Sequence, residues 1–132
     1  MDVNNISNPG DGDKISVLVA DDDPRILKFI YASLRLAGFN VTAVETGEEA
    51  LKVAGAKKAD IIVLDILMPL IDGFDVLKRL REVSNLPVLA ISAHSSAAEK
   101  AFSLGATDFL AKPFMPSELI RRIKALTDHE VK

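Results

Sequence analysis

The sequence predicts an α/β fold in which five parallel strands alternate with five helices. Three observations support this prediction: short apolar runs recur along the chain, amphipathic stretches separate them, and capping residues stand at the boundaries. The runs are apolar throughout, which is typical of strands buried on both faces of a parallel sheet. Helices alternating with such strands cover both faces of the sheet. The predicted strands are residues 15–20, 40–44, 60–65, 87–91 and 108–110.

Boundary residues define the helices between and after these strands. Asp23 and Pro24 have the order of an N-cap and a first helical residue. Gly38 stands where a helix-ending glycine belongs, and Thr46 with Glu49 has the spacing of a capping box before the second helix. The other predicted boundaries are Asp72 as the cap of the third helix, Gly105 as the end of the fourth and Pro116 as the start of the fifth.

Helical spacing of apolar residues predicts the faces that pack on the sheet. These residues are Leu27, Ile30, Leu34 and Ala37 in the first helix, Phe74, Leu77 and Leu80 in the third, and Leu119, Ile123 and Leu126 in the fifth. Right-handed crossovers limit the strand orders that are available. One common order is 2-1-3-4-5, in which ligands bind in the crevice between strands one and three.

Composition excludes several classes of function. The chain has no cysteine, so disulfides and thiolate metal sites are impossible, and its two histidines make a poor zinc site. A net charge of −3 gives no electrostatic basis for nucleic-acid binding by this chain alone. No apolar run approaches the ~20 residues of a membrane span, and the first residues do not form a basic and then apolar leader. We therefore expect a cytoplasmic protein that does not enter a membrane.

The chain is expected to form one folded domain with a short tail at each end. Its 132 residues are enough for a single core. Residues 1–13 are mostly Asn, Ser, Pro, Gly and Asp, a composition typical of a flexible tail. We expect the domain to span residues 14–128 and a C-terminal tail to follow at 129–132.

Acidic residues follow two of the predicted strands. Asp21, Asp22 and Asp23 come directly after the first strand, and Asp65 comes directly after the apolar run 61–64. If these strands are neighbours, their carboxylates meet at one edge of the sheet. Two bare carboxylates ~4 Å apart repel by about 4 kcal/mol at an effective dielectric near 20, so a cation or a proton has to be part of such a cluster. The acidic tract alone would equally fit a solvated turn.

Four segments together resemble the response-regulator receiver domain, the phosphoacceptor of two-component signalling. The resemblance runs from about Lys14 to Leu126 and implies a flavodoxin-like, doubly wound (βα)5 sheet in the order 2-1-3-4-5. The matching segments are Val19-Ala20-Asp21-Asp22-Asp23-Pro24, Leu64-Asp65-Ile66-Leu67-Met68-Pro69 with Asp72-Gly73, Ile91-Ser92-Ala93, and Lys112-Pro113-Phe114.

The resemblance implies an aspartyl phosphate and a divalent metal. Asp65 corresponds to the phosphoacceptor. Mg²⁺, or Mn²⁺ in its place, would be held by Asp21, Asp22, Asp65 and the backbone carbonyl of Leu67, which are hard oxygen ligands. In the family pattern one further residue and then proline follow the metal pair, so Pro24 assigns Asp21 and Asp22 to the metal and leaves Asp23 as a helix cap.

Further positions correspond to phosphate-binding and switch residues. Ser92, the amide of Ala93 and Lys112 would contact the phosphoryl oxygens, and the resemblance implies a cis peptide between Lys112 and Pro113. Ser92 and Phe109 would form the switch, although Phe109 equally fits a core residue. Leu67 and His94 correspond to positions that set the lifetime of the phosphate; apolar Leu67 should not orient water, whereas His94 could block or assist it, or be an exposed loop residue.

The implied function is that of a signalling phosphoacceptor rather than an enzyme in the usual sense, although it carries its own phosphorylation and dephosphorylation chemistry. The phosphodonor would be a sensor histidine kinase or a histidine phosphotransfer domain. The output would be a changed surface of the fourth helix, fifth strand and fifth helix, read by a protein partner or by an output domain beyond this chain. A homodimer through that face is also expected, because Asp108, Glu118 and Arg122 fit salt-bridge positions of dimerising receivers, whereas Ala98 replaces a basic residue.

Three other functions fit the sequence less well. A degenerate receiver could act as a phosphorylation-independent protein-binding scaffold, but the acid, serine and lysine set is complete. A phosphatase of the haloacid-dehalogenase type requires a second acid two residues after the nucleophile, where this chain has Leu67. A flavodoxin requires a phosphate loop rich in hydroxyls and glycine after the first strand, where three aspartates would repel the phosphate.

Overall fold

The computed structural model describes residues 14–56, 59–68 and 72–127. The strands are β1 Ser16–Ala20, β2 Asn40–Val44, β3 Ile61–Asp65, β4 Val88–Ser92 and β5 Asp108–Ala111. The helices are α1 Pro24–Leu36, α2 Gly47–Ala56, α3 Gly73–Val83, α4 Ala98–Ser103 and α5 Pro116–Thr127, with a 3-10 turn at Ser95–Ala97 before α4. The tails predicted at residues 1–13 and 129–132 lie outside the described residues.

All five strands pair in parallel in the order β2-β1-β3-β4-β5. The predicted fold class and strand order are therefore confirmed. Predicted and observed strand ends differ by one residue at most, as at β4, which begins at Val88 and ends at Ser92. None of the helices in the described residues is long and apolar enough to cross a membrane.

Alternate residues of each central strand enter two separate cores. In β1, Leu18 and Ala20 belong to the core shared with α2, α3 and α4, whereas Val17 and Val19 belong to the core shared with α1 and α5. Both sets are buried. This two-sided burial is the physical reason for the uniformly apolar strand sequences from which the parallel sheet was predicted.

The predicted apolar face of α1 is wrong at one position. Leu27, Ile30 and Leu34 are buried, but Ala37 is exposed and forms the C-cap of the helix. Gly38 adopts φ +98°, and the amide of Phe39 donates to the Leu34 carbonyl, so the chain turns back at this point. Because the helical path ends before Ala37, the i, i+3, i+7 spacing no longer applies there.

The remaining predicted helix boundaries are present. Thr46 Oγ1 accepts a hydrogen bond from the Glu49 amide at 3.1 Å, and the Glu49 carboxylate accepts one from the Glu45 amide. Asp72 Oδ1 accepts from the Phe74 amide at 2.9 Å and caps α3. These caps satisfy amides that the first turn of a helix leaves without partners.

Gly73 offers a test of how closely α3 approaches the end of β3. A Cβ atom at Gly73 would collide with the backbone of Ile66, whereas one at Gly55, near the end of α2, would meet no atom within 4 Å. We expect Gly73→Ala to lower the free energy of unfolding by about 1–3 kcal/mol. The matched substitution Gly55→Ala should raise it by about 0.5–1 kcal/mol, since alanine is the better helix former. Urea unfolding of both variants measures these effects, and equal stabilities would contradict the close approach.

Candidate functional site

The register of the sheet brings the acidic residues together. Ala20 of β1 pairs with Leu64 of β3, so the residues that follow, Asp21 and Asp65, lie side by side at the carboxyl edge. Asp21 is fully buried and Asp65 is 4% exposed. One carboxylate oxygen from each of Asp21, Asp22 and Asp65 lies within 4.8 Å of the other two. The structure thus forms the acid cluster that the adjacency of the two strands predicts.

The tract of three aspartates divides into two roles. Asp23 Oδ1 accepts a hydrogen bond from the Arg25 amide at 3.0 Å and caps α1, which confirms its predicted capping role. Asp21 Oδ1 accepts from the Asp23 amide at 3.0 Å, which fixes the Asp21 carboxylate toward the cluster. These local hydrogen bonds therefore assign Asp23 to capping α1 and leave Asp21 and Asp22 for the cluster.

Lys112 is the cation of the cluster. Its Nζ lies 2.9 Å from Asp21 Oδ2 and 3.2 Å from Asp65 Oδ2, and its side chain is only 14% exposed. It follows β5, where its amide donates to the Ser92 carbonyl, and the Lys112–Pro113 peptide is cis as the resemblance implies. Burial opposes the ammonium charge, but the nearby Asp21 and Asp65 carboxylates outweigh burial and raise the pKa of Lys112.

Asp65 is oriented by two donors. The Leu67 amide donates to Oδ1 at 3.1 Å, and Lys112 Nζ donates to Oδ2. Burial and then the charge of Asp21 raise the pKa of Asp65 from 3.8 to about 6, against the opposing effects of Lys112 and the Leu67 amide. Three carboxylates and one ammonium leave the cluster with excess negative charge when all are ionised.

The donor atoms of the cluster fit a hard divalent cation. All are oxygens, they converge, and the excess charge is negative, which suits Mg²⁺. Within the described residues, the partner of buried Asp21 Oδ2 is the Lys112 ammonium, 2.9 Å away, and no other donor reaches this oxygen. A buried carboxylate oxygen with a single partner can still contact a metal ion or water. The backbone of Leu67, which bridges to Asp72, lies beside these acids.

The other predicted site residues lie at the end of β4, in the loop that follows it, and in β5. Asp65 pairs in register with Ile91, so Ser92 stands one residue further along β4. Ser92 is fully buried, and its Oγ accepts a hydrogen bond from the His94 amide at 3.0 Å. Ala93 and His94 are exposed, and Phe109 is half-buried against the core beneath α3 and α4.

An apolar groove beside the cluster was missed by the sequence analysis. It has a volume of about 460 Å³ and is lined by Ile26, Phe29, Ala93, Lys112, Pro113 and Phe114. The groove lies between α1 and the loop after β5. Because its residues are far apart in the sequence, no local sequence pattern predicts the groove. Exposed Phe29 was the available signal, since it breaks the polar outer face expected of a surface helix.

The raised pKa of Asp65 leads to a stability prediction. The folded state holds the Asp65 proton more tightly than the unfolded chain does, so stability falls as the pH rises from 3.8 to about 6. The loss is complete above about 6 and absent well below 3.8, where both states are protonated. Without divalent cations, Asp65→Asn should therefore raise the free energy of unfolding at pH 7.5 by about 1–3 kcal/mol. The gain should shrink at pH 4.5.

Urea unfolding in a chelator at both pH values measures this effect. Asp75→Asn is the matched control, because Asp75 is exposed in the first turn of α3 and should give no gain. An Asp65→Asn variant that is less stable than the parent at pH 7.5 would contradict the raised pKa of Asp65.

Comparisons with known proteins agree with this geometry. Residues 17–124 match the model of the response regulator receiver domain. The chain is 46% identical over 113 residues to the transcriptional regulatory protein PrrA of Mycobacterium tuberculosis, covering 83% of this chain and 48% of that protein. The chain thus spans about half the length of the curated relatives that it matches.

Solved structures give the same result. The Francisella response regulator 1452 receiver domain has a TM-score of 0.82 and 37% identity, covering 88% of this chain and 98% of that one. The receiver domain of a sensor histidine kinase from Pseudomonas aeruginosa, solved with a magnesium ion in its active-site cleft, has a TM-score of 0.80 and 29% identity, covering 87% and 98%. With the matched family model, the fold and these identities, the chain belongs to the response-regulator receiver domain family.

Proposed function

We propose that this receiver domain is a phosphorylation switch in which a phosphohistidine donates its phosphoryl group to Asp65. The observation that supports this most directly is the convergence of Asp21, Asp22 and Asp65 on one pocket together with Lys112. A solvated acidic turn would have no reason to bury two carboxylates beside a largely buried ammonium.

The chain's own groups can position the nucleophile. An Asp65 oxygen forms the new O–P bond as the N–P bond of the donor breaks, and the leaving imidazole keeps the electron pair. The Leu67 amide and Lys112 hold the Asp65 carboxylate in one orientation before the donor arrives. Such positioning is the larger part of catalysis when the nucleophile is weak.

A divalent ion would complete the pocket. Asp21, Asp22, Asp65 and the Leu67 carbonyl are the groups proposed to hold Mg²⁺, or Mn²⁺ in its place. When bound, the ion supplies positive charge beside the transferring phosphoryl group. Lys112, which already lies 3.2 Å from Asp65 Oδ2, would pair with a phosphoryl oxygen on the other side.

Ser92 and Ala93 are proposed to bind the phosphoryl group and to start the switch. In the structure the Ser92 hydroxyl accepts from the His94 amide. A phosphoryl oxygen beside Asp65 would accept from that hydroxyl and from the exposed Ala93 amide, drawing the loop after β4 inward. Phe109 lies half-buried at the next strand, so it could repack into the vacated space. The surface formed by α4, β5 and α5 would change as a result.

The proposed partners follow from this chemistry and from the relatives. A sensor histidine kinase or a histidine phosphotransfer domain would supply the phosphoryl group. The relatives include transcriptional regulatory proteins, so an output domain beyond this chain, or a separate downstream protein, would read the altered surface. A homodimer through α4, β5 and α5 stays a prediction, since here Arg122 pairs with Asp108 and Glu118 of its own chain at 3.0 and 2.9 Å.

Phosphorylation can be tested with a small phosphodonor. Incubation with acetyl phosphate and Mg²⁺ should add one phosphoryl group to the intact mass of the protein. Asp65→Asn and Asp22→Asn should abolish the adduct or reduce it by at least about a hundredfold, because positioning and charge neutralisation contribute several kcal/mol. Chelation of Mg²⁺ should do the same.

Asp23→Asn is the matched control within the same tract. It keeps a capping side chain and should keep both the adduct and the fold. An adduct that survives Asp65→Asn would contradict the assignment of the phosphoacceptor. A folded parent protein that takes up no phosphoryl group would instead favour the phosphorylation-independent scaffold.

The lifetime of the phosphate provides a second test. Leu67 is 43% exposed beside Asp65 and has no polar atom in its side chain to orient an attacking water. Leu67→Asn should therefore shorten the lifetime on the order of tenfold, because an oriented water attacks more readily. His94→Ala separates the two roles open to His94: a longer lifetime indicates assistance and a shorter one indicates blocking. Decay of the phosphorylated mass after donor removal measures both, and an unchanged lifetime in Leu67→Asn would contradict its proposed role.

A further inference from the structure

The short helix α4 is held very differently at its two ends. It has six residues, Ala98–Ser103, and only Ala101 among them is fully buried. Neither the 3-10 turn before it nor the helix itself begins with a side-chain cap hydrogen bond. Burying a side chain as small as alanine adds little stability, so the position of the start of α4 depends on few contacts.

The end of α4 is firmly fixed. Gly105 adopts φ +109°, and the Ala106 and Gly105 amides donate to the Ala101 and Phe102 carbonyls, which is the paired bonding of a Schellman motif. Arg81 of α3 then donates from Nε to the Gly105 carbonyl at 2.9 Å. The same guanidinium also contacts the Ser84 carbonyl and Thr107 Oγ1. This end of α4 is therefore tied to α3 and to the start of β5.

A side-chain contact with α3 adds to the buried Ala97 and Ala101 in restraining the other half of the helix. The Lys100 ammonium lies 4.5 Å from the ring centroid of Phe74, a cation–π distance. Phe74 is half-buried against the core in the first turn of α3, where its amide is fixed by Asp72. A cleft of about 550 Å³ between the end of β3 and Lys100 leaves the helix room to move if this contact breaks.

We propose that the Lys100–Phe74 contact is a latch, which holds α4 in the position found here and thereby lowers the affinity of the Asp65 pocket for a phosphoryl group. This inference rests on the proposed function. The loop that follows Ser92 and carries His94 leads directly into the 3-10 turn and α4. A phosphoryl group that draws Ser92 inward pulls on this loop, and the latch resists the movement while the end at Gly105 stays anchored.

The coupling must be reciprocal. If the latch favours the position of α4 without phosphate, then breaking the latch must favour the phosphate-bound state by the same factor. An exposed cation–π contact is worth a factor of about two to five in an equilibrium constant. That factor sets the size of the expected effect.

Two substitutions break the latch in different ways. Lys100→Met keeps the aliphatic stem and removes the charge, whereas Phe74→Leu keeps an apolar side chain and removes the ring. With saturating Mg²⁺, both should bind beryllofluoride, a phosphoryl mimic, about two to five times more tightly than the parent by isothermal titration calorimetry. The double variant should gain no more than either single variant, since both remove the same contact. Lys78→Met, at an exposed lysine of α3, is the control and should change nothing.

Several outcomes would overturn the latch. If Lys100 acted only through its charge on the bound anion, Lys100→Met would bind beryllofluoride more weakly than the parent. Phe74→Leu would then bind it with the parent's affinity. Unchanged affinity in both folded variants would also refute the coupling. Amide hydrogen exchange over residues 95–103, without Mg²⁺ or beryllofluoride, tests the restraint separately: it should be about two to five times faster in both variants than in Lys78→Met.

The two readouts separate this inference from the proposed function. If the parent protein bound no beryllofluoride with Mg²⁺, the proposed function would fail, and the coupling with it. The exchange measurement would then still decide whether the contact restrains α4, and equal exchange in all variants would refute the latch itself.

Discussion

Repulsion among buried carboxylates is the constraint on which the rest of this structure depends. Asp21 and Asp65 are removed from water at the edge of the sheet, and Asp22 joins them. Two such charges ~4 Å apart repel by about 4 kcal/mol at an effective dielectric near 20. Lys112 offsets part of this repulsion, but burial and then the charge of Asp21 still raise the pKa of Asp65 to about 6. The pocket therefore favours ligands that bring positive charge to the acids.

The whole sheet is needed to build this pocket. Asp21 and Asp65 come from β1 and β3, which are adjacent only because the chain crosses over after β2. Lys112 comes from the end of β5 and reaches past β4, to which its own amide is bonded through the Ser92 carbonyl. A shift in the register of any of these strands would separate the ammonium from the carboxylates. The electrostatics of the pocket thus depend on the fold, since Asp21, Asp65 and Lys112 meet only in the correct strand order.

The sequence predicted what depends on periodicity and on local bonding. The strands and the capping by Asp23 follow from such patterns. The strand order, and with it the meeting of Asp21 with Asp65, was instead expected from the order common to such folds and from the family resemblance. The prediction that Ala37 packs on the core was wrong, because α1 ends at Leu36 and the chain turns at Gly38. The sequence could not reveal the Lys100–Phe74 contact or the groove beside α1, because these depend on side-chain positions between elements that are distant in the chain.

Differences in restraint between parts of the molecule explain where a change of charge at Asp65 can have an effect. The strands are buried on both faces, and a densely packed interior deforms little. The carboxyl edge is held by hydrogen bonds and ion pairs among Asp21, Asp65 and Lys112. α4 contributes mainly small side chains to the core; its end is anchored by the hydrogen bonds at Gly105, whereas its start is held more weakly, by the Lys100–Phe74 contact. In the proposed switch, a new charge in the pocket is accommodated at the least cost by moving the start of α4, because this part of the helix is the more weakly attached.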